Sequence, residues 1–211
     1  MKIFAIDTSG KIASAAISDD GKLIDSIEKN TNLSHSEAVL PVCTELLERN
    51  GLTLGDIDAF TVVTGPGSFT GLRIGIAAAK GFALMLEKPL IGVTALECCA
   101  YAEGRDGVIC PLIRARQNDY FYGLYRCENG EITQIGENGS DDLDKIKEKT
   151  GSDVVYSEKA FGAAEAAVLA YRYMKKGEIT DAHSVNPVYL KLSQAERMKL
   201  EQNRTESSEN K

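Results

Sequence analysis

The stretch best suited to chemistry is rich in glycine: residues 64–75, TGPGSFTGLRIG, join an apolar run at 59–64 to a helical pattern. Glycines permit sharp turns that leave backbone N–H groups pointing outward at the beginning of a helix, where phosphate can bind. The spacing fails the P-loop rule, because Thr70 stands where glycine is required and no Gly-Lys-Ser/Thr follows. Two interpretations stay open: an anion site, or a rigid strand-to-helix corner capped by Ser68 or Thr70.

Metal, disulfide and nucleophile chemistry have little support in the sequence. The two histidines, His35 and His183, lie far apart, and the five cysteines contain no C-x-x-C pair. The cysteines stand in apolar stretches, which is typical of buried free thiols. The sequence therefore predicts no disulfide, no metal site and no catalytic residue.

The elements that would position these segments occur in two rounds, each a three-strand meander followed by alternating helices and strands. Asp20-Gly21 and Asn129-Gly130 provide the hairpin turns. The predicted strands are 2–7, 13–18, 23–29, 59–64, 89–94, 108–115, 120–127, 132–136 and 154–157. The predicted helices are 35–50 (Ser34 as N-cap, Glu37 completing a capping box, Gly51 ending it), 72–86, 95–102, 141–149 and 163–176.

Two βββαβα halves are the layout of the actin-like ATPase (ASKHA) fold, so we predict an α/β protein of that fold with a shortened second half. The predicted parts are an N-terminal half, 1–104, a C-terminal half, 105–193, and a polar tail, 194–211. Residue identity between the halves is negligible, so the repeat is architectural only.

That layout points to a residual phosphate loop at the end of the first strand, formed by Asp7, Thr8 and Ser9. Actin-like ATPases carry an Asp there, followed by glycine and a hydroxyl residue, but here Thr8 takes the glycine place. The matching strand of the second half ends in residues 114–117 (RARQ) without an acid, and the chain has no Gly-Gly pair. We expect an incomplete ATP site and no cofactor. A stand-alone phosphotransferase using the loop at 65–71 is the alternative hypothesis.

The predicted helix 72–86 is apolar on all sides, and Arg73 and Lys80 are its only charged residues. Such a helix must be covered on more than one side, yet it is too short to cross a membrane. It is either deeply buried in its own chain or, as we expect, in contact with a second protein. One of two rows of residues would face the partner, and the sequence does not decide which. The rows are Gly75, Ala78, Ala79 and Phe82, and Ile74, Ala77, Gly81 and Met85.

The composition also limits which partners and which cellular location the sequence supports. The chain has 24 Lys and Arg against 31 Asp and Glu, a formal net charge of −7, so it is not expected to hold nucleic acid unaided. No apolar run is long enough for a membrane helix, and the first residues do not resemble a signal peptide. We expect a cytoplasmic protein.

Five segments together resemble the TsaB (YeaZ) family. They are IDTS at 6–9, SHSEAVLP at 34–41, TGPGSFTGLRIG at 64–75, GVTALE at 92–97 and NPVYLK at 186–191. The sequence departs from the family at residues 114–116, where Arg-Ala-Arg replaces Asp-Ala-Arg, and it is shorter between about 139 and 162.

The resemblance implies the actin-like fold and a non-catalytic scaffold in the complex that forms threonylcarbamoyladenosine beside the tRNA anticodon. It implies that the chain binds and stabilises TsaD, which carries the chemistry on a histidine-held metal, and helps recruit the ATPase TsaE. It also implies contact with tRNA only through the complex and a possible homodimer in isolation. TsaD-like proteins carry H-x-x-x-H where Val39 follows His35 here, so a metallopeptidase would lack its ligands. The residues predicted to contact the partner lie on the first two helices: His35, Val39, Val42, Cys43, Leu46, Leu72, Ile74, Gly75, Ala78, Ala79, Phe82 and Met85.

Overall fold

The structure, a computed structural model, describes residues 1–29, 35–115, 118–178 and 181–191 as a mixed α/β protein built on two sheets. The predicted tail 194–211 and the predicted cap Ser34 lie outside the described residues. The first part of the chain forms β1 Lys2–Asp7, β2 Ala13–Asp19, β3 Lys22–Lys29, α1 His35–Arg49, a 3-10 turn Leu54–Asp56, β4 Ala59–Val63, α2 Phe69–Met85, β5 Leu90–Val93 and α3 Ala95–Ala102. The second part forms β6 Gly107–Arg114, β7 Asp119–Tyr122, β8 Tyr125–Glu128, β9 Glu131–Gln134, β10 Gly139–Asp142, α4 Leu143–Thr150, β11 Val155–Ser157 and α5 Ala163–Lys175.

The first sheet has the order β3-β2-β1-β4-β5, and its middle strand β1 carries the residual phosphate loop at its end. β1 is antiparallel to β2 and parallel to β4, with Ile3 opposite Ala59. All residues of β1 after Lys2 are buried, as expected for a strand covered on both faces. The turn between β2 and β3 has positive φ angles at Asp20 (48°) and Gly21 (76°), as the sequence predicted.

The second sheet corrects one strand prediction. The predicted strand 120–127 is interrupted into β7 and β8, which nevertheless pair with β6 in one common register, Leu112 opposite Tyr122 and Gly107 opposite Cys127. In that register Pro111 of β6 lies opposite the break, and proline has no N–H to donate to a neighbouring strand. The break between β7 and β8 therefore lies opposite a residue that cannot donate a backbone hydrogen bond.

The third strand of this meander is also divided. β9 pairs with β8, and β10 pairs with β7, with residues 135–138 between them. The strand β10 (Gly139–Asp142) occupies the position where the sequence predicted the beginning of helix 141–149, and α4 begins only after the cap Asp142, which accepts from the Lys145 N–H. The predicted meander is thus present, with its second and third strands each in two pieces.

The helices pack across the boundary predicted near residue 104. α1 and α2 cover one face of the first sheet, and α5, from the second half, covers the other face. α3, from the first half, packs on β6 of the second sheet and against α5. One hydrophobic cluster therefore contains residues of both halves, and neither sheet is covered by helices of its own half alone.

The five cysteines are all buried and unpaired, as the sequence predicted. Burial raises the pKa of the Cys43 and Cys110 thiols to about 12 and that of Cys99 to about 11. Burial also raises the pKa of Cys98 and Cys127. At pH 8 the reactive thiolate is therefore scarce as well as inaccessible.

We expect none of the five thiols to react with a water-soluble aromatic disulfide reagent within minutes at pH 8, and all five to react in denaturant. The released chromophore, read spectroscopically, counts the thiols. One rapid equivalent in the folded chain would contradict the burial of at least one cysteine.

Candidate functional site

The turn that follows β1 is buried and bonded to the beginning of α2. The Thr8 hydroxyl donates to the Gly71 carbonyl oxygen (2.7 Å), and the Ser9 N–H donates to Asp7 Oδ1 (2.7 Å). The Ser68 N–H donates to the Ser9 carbonyl oxygen (2.6 Å). The predicted residual phosphate positions are thus brought together, and these groups bond to their own chain.

The glycines of this corner are required by the close approach of that turn. A Cβ atom at Gly71 would lie 2.1 Å from the Thr8 carbonyl oxygen, and one at Gly75 would lie 2.2 Å from Thr8 Oγ1. At Gly67 it would lie 2.4 Å from the Ser9 carbonyl oxygen. Gly71 and Gly75 are one helical turn apart, so they form a groove along α2 that receives Thr8.

Ser68 is the cap of α2, because its side chain accepts from the Gly71 N–H (3.2 Å). The helix accordingly begins at Phe69, three residues earlier than the pattern predicted. Of the two interpretations of the glycine-rich stretch, the geometry supports the strand-to-helix corner.

Arg114, at the end of β6, also bonds within the chain. Its Nη2 donates to the Tyr120 hydroxyl (2.8 Å) and lies 3.8 Å from Glu158 Oε2, and the guanidinium is 5.1 Å from the centre of the Tyr120 ring. Tyr120 follows on the antiparallel strand β7, and Glu158 follows β11, which lies on the other side of β6. Arg114 thus connects three strand ends.

Most residues predicted to contact a partner face the first sheet instead. Burial assigns them to the core of this chain, where they pack on β1, β2 and β4, so no second protein can reach their side chains. The core members are Val39, Val42, Cys43, Leu46, Leu72, Gly75 and Ala79. Three more are half-buried against the same cluster: Ile74, Ala78 and Phe82. Met85 is exposed (66%), and nothing is described of the His35 side chain.

The exposed side of the two helices forms what we call the outer surface. It is defined by Leu40 and Pro41 on α1 and by Ala77, Gly81, Leu84 and Met85 on α2. Leu40 is 52% exposed, and the four α2 residues follow helical spacing along one stripe. Ala77, Gly81 and Met85 of the second predicted row therefore face outward, whereas Ile74 of that row is half-buried against the core. The sequence left this choice open because both rows are equally apolar.

Within 1–29, 35–115, 118–178 and 181–191, no three His, Cys, Asp or Glu side chains group closely enough to hold a metal ion. None of the helices described there is both long and apolar enough to span a membrane.

Comparison with known proteins identifies the family to which this chain belongs. Residues 28–196 match the family model of TsaD, tRNA N6-adenosine threonylcarbamoyltransferase. The chain is 31% identical to the Bacillus subtilis tRNA threonylcarbamoyladenosine biosynthesis protein TsaB, over 93% of this chain and 96% of that protein. The chain belongs to the TsaB (YeaZ) family.

Two further matches agree with the family and its fold. The Escherichia coli TsaB is 39% identical over 62% of this chain and 58% of its own length. A solved structure of YeaZ from Pseudomonas aeruginosa superposes with a TM-score of 0.77 at 26% identity, over 90% of this chain and 99% of that chain. With the two βββα-type halves described above, the predicted actin-like fold is confirmed.

The motif NPVYLK at 186–191 carried part of the sequence resemblance, but the sequence assigned it no structural role. Residues 181–191, which contain the NPVYLK motif, contact α2 and the corner. The Arg73 Nε–H donates to the Tyr189 hydroxyl (3.0 Å), and the Val188 N–H donates to the Thr64 carbonyl oxygen (2.8 Å). The sequence gives no period or charge pattern that would place this segment there.

The packing at this corner predicts opposite changes in stability for alanine substitutions at two glycines of α2. In Gly71→Ala the new methyl group meets a backbone oxygen, so the corner must shift, and we expect a loss of about 2 kcal/mol in the free energy of unfolding. In Gly81→Ala the methyl enters open space on an exposed helix, so we expect a gain of roughly 0.5–1 kcal/mol.

Thermal melts measure both variants, and about 2 kcal/mol corresponds to a melting temperature lower by roughly 4–8 °C in a chain of this size. Equal melting temperatures for Gly71→Ala and the parent would mean that the turn at Thr8 does not press on α2.

Proposed function

We propose that this chain is a non-catalytic scaffold subunit of the complex that forms threonylcarbamoyladenosine in tRNA, and that it binds the catalytic subunit TsaD. Family membership supports the pathway. The closed corner supports the non-catalytic role, since the donors that a nucleotide phosphate would need are bonded within the chain: the Thr8 hydroxyl to the Gly71 carbonyl oxygen and the Ser68 N–H to the Ser9 carbonyl oxygen. This contact between the turn and the helix is the single observation that carries the proposal.

The outer surface is the proposed docking site for TsaD. It combines exposed apolar side chains with small residues, Ala77 and Gly81, that let a second helix approach closely. Exposed apolar stripes of this kind mark protein contacts more often than isolated exposed residues do. The family model that matches this chain is that of TsaD itself, which supports a pseudo-symmetric pair of related folds docked through their helices.

The remaining partners follow from the family and from charge. We propose that TsaE joins the pair, that tRNA is contacted only within the complex, and that the outer surface pairs two copies when TsaD is absent. A net charge of −7 supports the second point, because a chain of this charge gains little from displacing counterions on RNA.

The docking prediction compares a glutamate on each side of α2. Ala77→Glu leaves the charge in solvent, so we expect a folded chain whose affinity for TsaD is lower by at least about tenfold, or 1.4 kcal/mol. Ala79→Glu, at a fully buried position, places an unpaired charge in the core and should not fold stably. Circular dichroism melts and titration calorimetry with purified TsaD separate the two results.

Ile135→Glu is the matched control, since it adds the same charge at an exposed position just after β9, away from α1 and α2. It should melt and bind as the parent does. Normal TsaD binding by folded Ala77→Glu would remove the outer surface from the interface.

A separate prediction concerns the alternative hypothesis of a phosphotransferase. The chain alone should bind ATP no more tightly than about 1 mM, because a ligand would first have to displace the bonds of the corner. Equilibrium dialysis with labelled ATP and magnesium measures the affinity. Micromolar binding that Asp7→Asn abolishes would favour the phosphotransferase.

A further inference from the structure

Residues 181–191, which we call the strap, run along α2 in the opposite direction to the helix. Lys80 Nζ donates to the His183 carbonyl oxygen (3.2 Å), and Arg73 Nε donates to the Tyr189 hydroxyl (3.0 Å). The strap therefore follows α2 from near its end toward its beginning, beside the outer surface.

The strap also closes the corner from which α2 begins. The Val188 N–H donates to the Thr64 carbonyl oxygen, and a Cβ atom at Gly65 would lie 2.9 Å from the Val188 carbonyl oxygen. The Val185 side chain is buried and lies in the same hydrophobic cluster as α1 and α2. Main-chain bonding and apolar burial thus fix the strap to the first sheet.

Tyr189 ties the first turn of α2 to the strap. Its ring stacks on that of Phe69, with centroids 4.7 Å apart and planes at 26°. The Arg73 guanidinium lies 4.0 Å from the Phe69 ring centre and bonds the Tyr189 hydroxyl. Two side chains on successive turns of α2 therefore meet one strap residue.

The strap reaches the second half as well. Lys191 Nζ donates to Asp119 Oδ2 at the beginning of β7. A partly exposed ion pair contributes little to stability, so its main effect is to direct the end of the strap rather than to hold it.

We propose that the strap holds α2 in the position from which it docks, with Tyr189 as the positioning residue. This rests on the proposed function, in which α2 carries the outer surface. The strap contacts α2 at three residues on one side and leaves the stripe of Ala77, Gly81 and Met85 uncovered. When Tyr189 is absent, the Thr8 turn holds the beginning of α2 without the strap, so the helix samples other orientations on the sheet, and affinity falls by the fraction of chains that keep the docking position.

The experiment compares Tyr189→Ala, which removes the stack and the hydroxyl, with Tyr189→Phe, which keeps the stack. Amide hydrogen exchange of residues 69–73 is measured in the free chain, and the TsaD affinity of the full chain is measured by calorimetry. For Tyr189→Ala we expect faster exchange at 69–73 and an affinity lower by about tenfold, as for a docking-competent fraction of about one tenth. For Tyr189→Phe we expect a loss below about threefold.

Tyr171→Ala is the control, because Tyr171 is a half-buried tyrosine of α5 on the opposite face of the first sheet. It should change neither measurement. If Tyr189→Ala does not fold, Tyr189→Leu, which keeps an apolar contact with Phe69, is measured in its place.

Two results would overturn the proposal. Lower affinity with unchanged exchange in the free chain would make Tyr189 a direct contact with TsaD, and faster exchange with unchanged affinity would make the strap irrelevant to docking. Failure of the parent chain itself to bind TsaD would reject the proposed function, while the exchange of the free chain would still report whether the strap holds α2.

Discussion

The contact between the Thr8 turn and α2 is the constraint on which the rest of the structure depends. It joins the end of the central strand to the helix through a side-chain bond to the Gly71 carbonyl, and it needs a surface without Cβ atoms at Gly71 and Gly75. Because the turn enters the helix groove, α2 lies close over β4 and β1. Its buried side combines the small residues Gly75, Ala79 and Ala83 with Leu72 and Ile76, while Leu84 and Met85 remain outside.

The exchange of helices between the halves explains why a short chain with a reduced second half is still well covered. α5 closes the face of the first sheet that α1 and α2 leave open, and it brings Ala166, Ala167 and Ala170 into full burial. Alanine at these positions allows the helix to lie close to the strands. The same arrangement gives one hydrophobic cluster that combines residues of both halves, although the sequence pattern divides near residue 104.

The sequence predicted the elements that depend on a local pattern of residues. It did not predict the features that depend on residues distant along the chain. The first meander was predictable, because β1 is an unbroken apolar run and Asp20-Gly21 fixes the hairpin. The break between β7 and β8 was not, because the Pro111 that lies opposite it belongs to another strand. Helical spacing predicted the helix α2, but both of its rows are apolar, so only the packing on the sheet distinguished the buried Ala79 from the exposed Ala77. The place of Tyr189 depends on a strap that has no periodicity of its own.

Residue types alone do not separate a ligand cradle from close packing within the chain. A glycine-rich turn between a strand and a helix leaves space where a phosphate can approach the backbone, and equally where another backbone segment can. Here the atoms that a Cβ would meet at Gly67 and Gly71 are carbonyl oxygens of Ser9 and Thr8, which are acceptors like the oxygens of a phosphate. The chain's own turn therefore fills the space beside these glycines. The Thr8 side chain supplies the bond that holds this turn against the helix.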